Sequence, residues 1–325
     1  MDVNGPQDRN MRIILITPAP AKSKVGNRAT ATRWAHLLRS LGHRVEIASV
    51  YTGQNADVMI ALHAWRSADA IQRYAETQAD KALIVALTGT DAYRYIHSHH
   101  ELTLQSIHLA DQLVGLHDLI SNTLPPDQRY KMNVIYQSAQ PVGERKPYTR
   151  YFHVSVFGHL REEKDSMRPA MAVRDLPSHS RIKIHHYGKA HTPKWRDDAE
   201  AEMIDNARYC WHGEIAHHKI RQIYKRTNLL VLPSRVEGGA NVISEAIVAG
   251  VPVIASDIEG SIGLLGADYA GYYPVEDEDL LAETLLRAES DSSYYHALEK
   301  ACVARQTLFT PECERNAWNK LLNKL

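Results

Sequence analysis

The chain has 325 residues, of which 44% are hydrophobic and 23% are charged, a composition typical of globular proteins. Lysine plus arginine equals aspartate plus glutamate at 38 each, so net charge indicates neither nucleic acid nor membrane binding, and we expect neither partner. No apolar run approaches the ~20 residues that cross a bilayer, and the polar residues 1–10 lack the apolar stretch of a signal peptide. At roughly 100–200 residues per domain, the length predicts two domains.

The three cysteines, Cys210, Cys302 and Cys313, are odd in number and widely spaced. This pattern excludes the disulfide framework of a small secreted scaffold. Free thiols are typical of a reducing compartment, so we expect the chain to be cytoplasmic.

The first half of the chain alternates short apolar runs with segments of helical periodicity. Residues 12–17 form an apolar run followed by Pro18 and Pro20, which predicts a buried strand and then a loop. Residues 27–41 carry apolar side chains at helical spacing, and Gly42 is a typical helix stop. The other strands predicted in this half are residues 45–50, 57–62, 82–87, 112–116 and 133–136. Such alternation predicts a parallel sheet covered by helices on both faces.

A second α/β pattern follows residues 140–150, a turn-rich and polar segment that we interpret as a linker. A helix is predicted at residues 241–249, and residues 280–325 are predicted to be mostly helical. The strands predicted in this half are residues 151–157, 182–187, 229–232 and 251–255.

The most informative segment runs from Leu232 to Ile254 and passes from a strand through a glycine-rich turn into a helix. Its turn, Glu237-Gly238-Gly239-Ala240, presents bare backbone amides at a helix N-terminus, which is a site for an anion such as a diphosphate. Glu245 lies about one turn into that helix, where a carboxylate can accept hydrogen bonds from a ribose diol.

This segment resembles the Glu-x7-Glu motif of retaining glycosyltransferases with the GT-B fold, above all those of family four. The resemblance implies an α/β protein with two Rossmann-like domains whose parallel sheets face each other across a cleft. The implied divisions are an N-terminal acceptor domain, a C-terminal domain for a nucleotide-sugar donor, and a last helix that packs back on the N-terminal domain. The corresponding ranges are residues 11–145, 150–305 and 306–325.

The resemblance also implies roles for single residues. Glu237 lies beside the donor sugar, Glu245 binds the nucleotide ribose, and the turn contacts phosphate. The expected phosphate-binding residues are Gly238, Gly239, Ala240, Asn241 and Val242.

Two further segments resemble the same family. In residues 156–164 the basic side chains neutralise the departing diphosphate, and Lys164 is in register with the family's lysine. His159 replaces the usual arginine, and Arg161 is the residue that compensates in our interpretation. The implied site residues are catalytic Lys164, Arg161, Glu237 and His159, with Gly158 at the donor. Trp211 to Ile215 resembles the family's short strand-to-glycine element, so Gly213, Glu214 and Ile215 are expected to face the nucleotide base.

Residues 9–45 contain no acidic side chain, which in a chain of zero net charge predicts a local positive field. The segment 22–28 follows the first strand, at the carboxyl edge of the sheet where open α/β folds bind ligands. We therefore interpret residues 22–33 as an anion site, against the alternative of a solvated basic helix face, which we assign to Arg39 and Arg44. The basic residues of the stretch are Arg9, Arg12, Lys22, Lys24, Arg28, Arg33, Arg39 and Arg44.

Four segments of the first half, at residues 17–34, 61–67, 87–93 and 134–139, resemble the selenosugar synthases of selenoneine biosynthesis. The resemblance implies that selenophosphate attacks the sugar of a UDP-hexose, with UDP-N-acetylglucosamine the expected donor. We expect no cofactor and no divalent metal, because Arg161, Lys164 and the amides of residues 239–241 can balance the diphosphate charge. A small, highly charged anion fits the basic segment. The implied acceptor-binding residues are Gly26, Asn27, Arg28, His63, Arg66, Thr90 and Asp91.

His63, Asp91 and the function of the chain each allow more than one interpretation. His63 fits an acceptor contact or a satisfied buried histidine equally well, and Asp91 fits a general base or an aspartate that organises its loop. A family-four-like enzyme with a hydroxyl acceptor is the second functional hypothesis. A dinucleotide-dependent oxidoreductase is disfavoured, because no Gly-x-Gly-x-x-Gly follows the first strand.

Two apparent metal signals are interpreted as structural. The histidine groups at 97–100, 185–186 and 212–218 lack ordered ligand spacing with a carboxylate or thiolate set. Asp277 and Asp279 open a helix predicted at residues 278–289, where acidic side chains favour the helix dipole.

Overall fold

The computed structural model describes residues 10–20 and 26–325, with the side chain of His217 excepted. The chain divides into two compact units. The first comprises the described residues up to Gln137 together with Pro311–Leu325, and the second is Ser138–Thr310. Within the described part of the chain, no helix is both long enough and apolar enough to cross a membrane.

The first unit contains a six-stranded sheet in the order β2-β1-β3-β4-β5-β6, and every strand pair is parallel. All six strands predicted in this half are confirmed, with ends that differ by no more than two residues. The strands are β1 (Arg12–Ile16), β2 (Arg44–Ala48), β3 (Val58–Leu62), β4 (Ala82–Ala86), β5 (Gln112–Gly115) and β6 (Met132–Val134).

Strand β1 shows why this sheet is buried on both faces. Its side chains alternate between two apolar clusters, with Ile14 and Ile16 in one and Ile13 and Leu15 in the other. Alternation of this kind is expected of a strand, because successive side chains point to opposite faces. The helices of the first half are α1 (Gly26–Ser40), α2 (Ala68–Thr77), α3 (Ile96–Ser98) and α4 (His100–Leu109), with a π-helical turn at Asp91–Tyr95.

The second unit contains a second all-parallel sheet, in the order β12-β11-β10-β7-β8-β9. The four strands predicted in this half are confirmed, and the short β9 coincides with the strand-to-glycine element. Strand β12 was not predicted, because two residues carry no periodic signal. The strands are β7 (Phe152–Phe157), β8 (Ile182–Tyr187), β9 (Tyr209–Trp211), β10 (Leu229–Leu232), β11 (Val253–Ser256) and β12 (Tyr272–Tyr273).

The helices predicted at 241–249 and 278–289 are confirmed as α8 and α10. Asp277 is the N-cap of α10, where its side chain accepts a hydrogen bond from the Leu280 N–H at 2.8 Å. The helices of this unit are α5 (Arg168–Ala172), α6 (Pro193–Asp205), α7 (His217–Arg226), α8 (Asn241–Ala249), α9 (Glu259–Leu265), α10 (Glu278–Ser290) and α11 (Ser292–Arg305).

The last helix, α12 (Pro311–Leu322), belongs to the first unit and packs against α1. Trp318 and Trp34 are fully buried, and their rings meet edge to face with centroids 4.8 Å apart. The Trp34 indole donates a 2.8 Å hydrogen bond to Glu314, which also pairs with Arg33 at 3.3 Å. Both contacts stabilise a carboxylate that is only 1% exposed.

Candidate functional site

The glycine-rich turn between β10 and α8 presents its backbone as an anion site. Gly239 has a φ of 130°, a conformation that favours glycine because it lacks a Cβ. Ala240 occupies the N-cap of α8 and has no side-chain oxygen to cap the first N–H groups. These amides and the helix dipole together favour a negatively charged ligand such as a phosphate.

Glu237 and Lys164 form an ion pair beside this turn. The Glu237 side chain is 10% exposed and the Lys164 side chain is 21% exposed. The Ser234 hydroxyl donates a 2.6 Å hydrogen bond to the same carboxylate, which fixes its orientation. The fold therefore joins two of the residues predicted to be catalytic, although 73 positions separate them in the chain.

Arg235 links the segment that carries Lys164 to the segment that carries Glu237. Its backbone N–H donates to the Glu163 carbonyl at 2.9 Å, and its guanidinium lies 3.7 Å from Asp165 and 3.6 Å from Glu162. Asp165 is buried and has a φ of 42°, so this tight turn is held in a conformation rare for aspartate. Arg235 was not predicted as a site residue, because its role depends on contacts across 70 positions of sequence.

Gly260 in α9 was also missed, and it lies directly against Glu237. A Cβ at this position would lie 2.2 Å from the Glu237 carbonyl oxygen and 2.9 Å from its Cβ. Only glycine fits without a shift of the backbone that carries the Glu237 carboxylate.

Tyr224 supports Glu245 from the neighbouring helix α7. Its hydroxyl lies 3.2 Å from the Glu245 carboxylate and 3.1 Å from the Val242 carbonyl. Burial raises the pKa of Tyr224 well above its ordinary value, and the nearby Glu245 carboxylate adds to the shift. The phenol therefore stays protonated and acts as a hydrogen-bond donor. No sequence motif marks Tyr224, because the contact is made between two helices.

His159 follows β7 and accepts a 3.0 Å hydrogen bond on Nδ1 from the Lys189 N–H. Burial lowers the pKa of His159, and the nearby Arg161 and His191 lower it further, with a smaller contribution from Lys164. Glu214 acts in the opposite direction. The ring is consequently neutral at pH 7, with its proton on Nε2. His159 can donate a hydrogen bond but does not supply the positive charge of the arginine usual in family four.

Gly158 and Gly213 lie at the carboxyl ends of β7 and β9, on either side of β8. The Gly188 N–H donates a 2.8 Å hydrogen bond to the Gly213 carbonyl, and a Cβ on Gly188 would lie 1.8 Å from the Gly158 oxygen. Glu214 is exposed and Ile215 is half-buried. All residues predicted to bind the donor thus belong to the second unit, at the carboxyl ends of its parallel strands.

The predicted acceptor residues belong to the first unit, and four of them lie after the adjacent strands β3 and β4. His63 and Asp91 are buried, and His63 Nδ1 lies 2.6 Å from Asp91 Oδ1. The Arg66 N–H also approaches Nδ1 at 3.2 Å. Because an ionised carboxylate only accepts, the shorter contact places a proton on Nδ1. The second ring nitrogen, Nε2, lies 3.1 Å from the Thr90 hydroxyl.

The hydrogen bonds of Asp91 and His63 are relevant to the two interpretations of each residue. Asp91 organises its loop, because it accepts hydrogen bonds from the Thr88 N–H and hydroxyl, each at 3.0 Å, and from the Trp65 N–H at 3.2 Å. His63 is buried, its two ring nitrogens contact Asp91 and Thr90, and its φ of 79° is a backbone strain that this network sustains. Thr90 is half-buried, and its hydroxyl also lies 3.2 Å from the Thr88 hydroxyl, which closes the network.

Arg66 is exposed beside a platform of aromatic rings. The Trp65 and Tyr95 rings stack with centroids 4.2 Å apart, and the Arg66 guanidinium carbon lies 6.0 Å from each centroid. The exposed Arg66 guanidinium beside these rings is accessible to an anionic ligand.

Gly26, Asn27 and Arg28 form the first turn of α1, which follows β1, the neighbour of β3. Within the described residues, no carboxylate lies within ion-pair distance of Arg28. Lys22 and Lys24, which belong to the predicted anion site, lie outside the described residues.

Other cations of the basic stretch are neutralised by residues distant in sequence. Arg12 pairs with Asp57 at 3.3 Å, and Arg33 pairs with Glu314 at the same distance. Arg33 was predicted to belong to the anion site, but its partner gives it a structural role. A stretch without acidic residues in the sequence is therefore not free of acidic neighbours in space.

Comparisons with known proteins agree with this geometry. The model of the family "Glycosyl transferases group 1" matches residues 143–304. A stretch of 79 residues is 33% identical to TuaC of Bacillus subtilis (strain 168), whose name assigns it to teichuronic acid biosynthesis as a glycosyltransferase. That match covers 24% of this chain and only 20% of TuaC, so the chain spans about a fifth of this curated relative.

Two solved structures share the fold over 97% of this chain. Alr3699/HepE of Anabaena in complex with UDP is 15% identical, is covered completely and has a TM-score of 0.77. Sucrose-phosphate synthase (tll1590) of Thermosynechococcus elongatus is 16% identical, is covered to 99% and has the same TM-score. The chain thus has the GT-B fold, and its residues 143–304 match the model of the glycosyl transferases group 1.

Proposed function

We propose that the chain transfers the sugar of a UDP-hexose, UDP-N-acetylglucosamine in the first instance, to selenophosphate. The products are a selenosugar, UDP and phosphate. The observation that supports a UDP-sugar donor is the Lys164–Glu237 ion pair, which lies beside the backbone amides at the start of α8. The structure of HepE with UDP-glucose, a protein of the same fold, agrees with a uridine donor.

Each donor group has a role in this proposal. The turn at Gly238 and Gly239 holds the diphosphate, Glu245 holds the ribose, and Lys164 receives the charge that develops on the leaving UDP. Stabilisation of developing charge by fixed groups is the principal means by which such a site accelerates a reaction. The sugar passes through an oxocarbenium-like state, for which the Glu237 carboxylate is an electrostatic partner.

Selenophosphate is a nucleophile through its selenium atom and needs no general base. In the proposed reaction a carbon–selenium bond forms at C1 of the sugar while the bond from C1 to the UDP oxygen breaks. Water then cleaves the selenium–phosphorus bond, and phosphate departs while selenium takes a proton. Arg28 and Arg66 in the first unit are the cations proposed to hold the acceptor phosphoryl group.

A hydroxyl acceptor is the second candidate, and one observation favours it. Asp91, His63 and Thr90 form a chain of contacts of 2.6 Å and 3.1 Å, an arrangement that can carry a proton away from a hydroxyl nucleophile. A selenium nucleophile has no use for such a chain.

The two candidates are separated by mass spectrometry of reactions that contain UDP-N-acetylglucosamine, UDP-glucose or UDP-galactose, each with selenophosphate or with neutral sugars and glycerol. We expect a product with the selenium isotope pattern, formed only with selenophosphate. The Asp91→Asn variant should retain this activity if it folds, as checked by its UDP-induced rise in melting temperature. Transfer to a neutral hydroxyl that is lost in Asp91→Asn, with selenophosphate unused, would establish the second candidate instead.

We further propose that the reaction takes place in the cytoplasm. The three cysteines are free, which fits a reducing compartment.

A further inference from the structure

A cluster of potential metal ligands, none of them assigned to the donor, comes from strand β8, strand β9 and the residue that follows β9. His185 on β8 is the register partner of Cys210 on β9. His212 directly follows β9, two residues after Cys210, and its N–H still donates a 2.8 Å hydrogen bond to the His186 carbonyl of β8. The alternation of an extended chain therefore places the Cys210 and His212 side chains on the same face. One face of the parallel sheet thus collects two imidazoles and a thiol.

The distances within this cluster are short enough for a shared ion. One ligand atom from each of the three residues lies within 4.8 Å of the other two. His185 Nδ1 and His212 Nε2 are 2.9 Å apart and share a hydrogen bond. In a tetrahedral zinc site two nitrogens at ~2.0–2.1 Å from the metal are roughly 3.3 Å apart, so a small opening of this pair admits the ion.

The neighbouring rings hold both imidazoles in place. His153 stacks on His185 with centroids 4.2 Å apart and planes 13° apart, and Tyr187 stacks on His212 at 4.6 Å and 12°. Rings fixed in this way lose little conformational freedom when a ligand binds, which favours binding. Among the described residues His185 Nε2 is buried without a hydrogen-bond partner, so the ring makes its hydrogen bond through Nδ1, to His212.

We propose that His185, Cys210 and His212 bind a transition-metal ion of the zinc type. Two imidazoles and a thiolate are a borderline-soft donor set that suits zinc and excludes magnesium or calcium, which prefer oxygen ligands. His212 is exposed, which gives the ion a path of entry and leaves a fourth position for water. Lys183 lies near His185 and opposes a cation, so the affinity falls below that of a four-ligand structural zinc site.

The sequence predicts no metal site, because its histidine groups lack ordered ligand spacing with a carboxylate or thiolate set. The thiolate comes from Cys210, and only the register of β8 with β9 brings it to His185. The ion would join the edge strand β9 to β8 immediately before Gly213 and Glu214. It takes no part in the proposed transfer chemistry, so the two proposals succeed or fail separately.

Cobalt(II) provides a direct test, because thiolate ligation gives a near-ultraviolet charge-transfer band and tetrahedral geometry gives intense visible bands. We expect the purified wild-type protein, stripped with a chelator, to develop both bands with one Co²⁺ per chain and to lose them when Zn²⁺ is added. Cys210→Ser should lose the charge-transfer band, while the matched control Cys313→Ser, at another free and half-buried cysteine, should keep it. His212→Ala should bind at least about tenfold more weakly.

Folding of each metal-free variant is checked by far-ultraviolet circular dichroism and by a cooperative thermal transition, neither of which depends on UDP binding or on the cluster. In folded protein, absence of the charge-transfer band from the wild type, or its persistence in Cys210→Ser, would overturn the site. Zinc should also raise the melting temperature of the wild type and of Cys313→Ser but not that of Cys210→Ser.

Discussion

At the scale of single residues, the ion pair of Lys164 with Glu237 holds the two side chains in position. A lysine held beside a carboxylate is positioned before the donor arrives, and the leaving diphosphate offers it a second anionic partner. We therefore expect Lys164 to contribute most when negative charge develops, which is a property of the transition state.

We predict that Lys164→Ala lowers kcat more than it weakens donor binding, because the charge on the leaving UDP increases as the glycosyl bond breaks. Steady-state kinetics with the proposed donor and acceptor measure this. Lys194→Ala is the control, since Lys194 is exposed and pairs with Asp198 in α6. A raised KM with wild-type kcat in Lys164→Ala would contradict the prediction.

Glu245 and Tyr224 form the second residue-scale pair. We predict that Glu245→Ala weakens UDP binding by about 1.5–3 kcal/mol, the usual contribution of a hydrogen bond to a charged group. Tyr224→Phe should cost less, because it removes the group that orients the carboxylate and leaves the carboxylate in place. Isothermal calorimetry with UDP measures both, and unchanged affinity in Glu245→Ala would exclude the ribose role.

His159 gives a prediction about protonation. Its pKa is lowered first by burial and then by the positive charge of Arg161, and both effects disfavour the imidazolium form. Arg161→Met removes one of these effects, so the pKa of His159 should rise while it remains below the ordinary value. NMR titration of the His159 ring protons measures the change. A pKa that falls or stays the same would show that Arg161 does not act on this ring.

At the scale of elements, the close approach of α9 to the Glu237 turn joins packing to function. An alanine in a helix interior is usually about 1 kcal/mol better than glycine. At Gly260 the added Cβ would lie 2.2 Å from the Glu237 carbonyl oxygen. This steric clash outweighs the helix propensity of alanine, so the substitution should be destabilising.

We predict that Gly260→Ala lowers the free energy of unfolding by about 1–3 kcal/mol, as overpacking does, and reduces turnover by displacing Glu237. Gly26→Ala in α1 is the matched control for stability, because no atom lies within 4 Å of its added Cβ among the described residues. Denaturant unfolding compares the two. Equal or greater stability of Gly260→Ala would show that α9 can shift away from Glu237 without any loss of folding stability.

At the scale of the whole molecule, the two units have separate assignments. The residues proposed for the donor belong to Ser138–Thr310, and the residues proposed for the acceptor belong to the other unit. A substitution in one unit should therefore affect one substrate selectively.

We predict that Arg28→Ala raises the KM for selenophosphate and leaves UDP affinity near that of the wild type. Arg28 lies at the start of α1 without an acidic partner in the described part of the chain, so its charge is available to an anion. Phosphate and thiophosphate should compete with selenophosphate in the wild type. Arg39→Ala, an exposed position in the same helix, is the control. Normal selenophosphate kinetics in Arg28→Ala would exclude the proposed acceptor contact.

The local sequence by itself determined most strands of both sheets and the strand, turn and helix of the segment proposed to hold the donor. Apolar runs such as residues 12–17 and 229–232 predict buried strands. A strand covered on both faces buries the side chains of both its faces, so nearly all of them are apolar. Glu237, the glycines and Glu245 are close in sequence, so their spacing along a strand, turn and helix is a local property. The two-residue β12 was missed because it has no period of its own.

Contacts between distant segments were decided only by the tertiary structure. The partners of Glu237 and Glu245, namely Lys164, Gly260 and Tyr224, come from other elements, and their positions depend on strand order and helix packing. The same is true of Arg33, whose charge is neutralised by Glu314 about 280 positions away, and of Cys210, which meets His185 through the register of two strands. A sequence pattern records what a residue is and what lies within a few positions of it. Which charges and ligands meet across the fold follows from burial of the two apolar cores, a property of the whole chain.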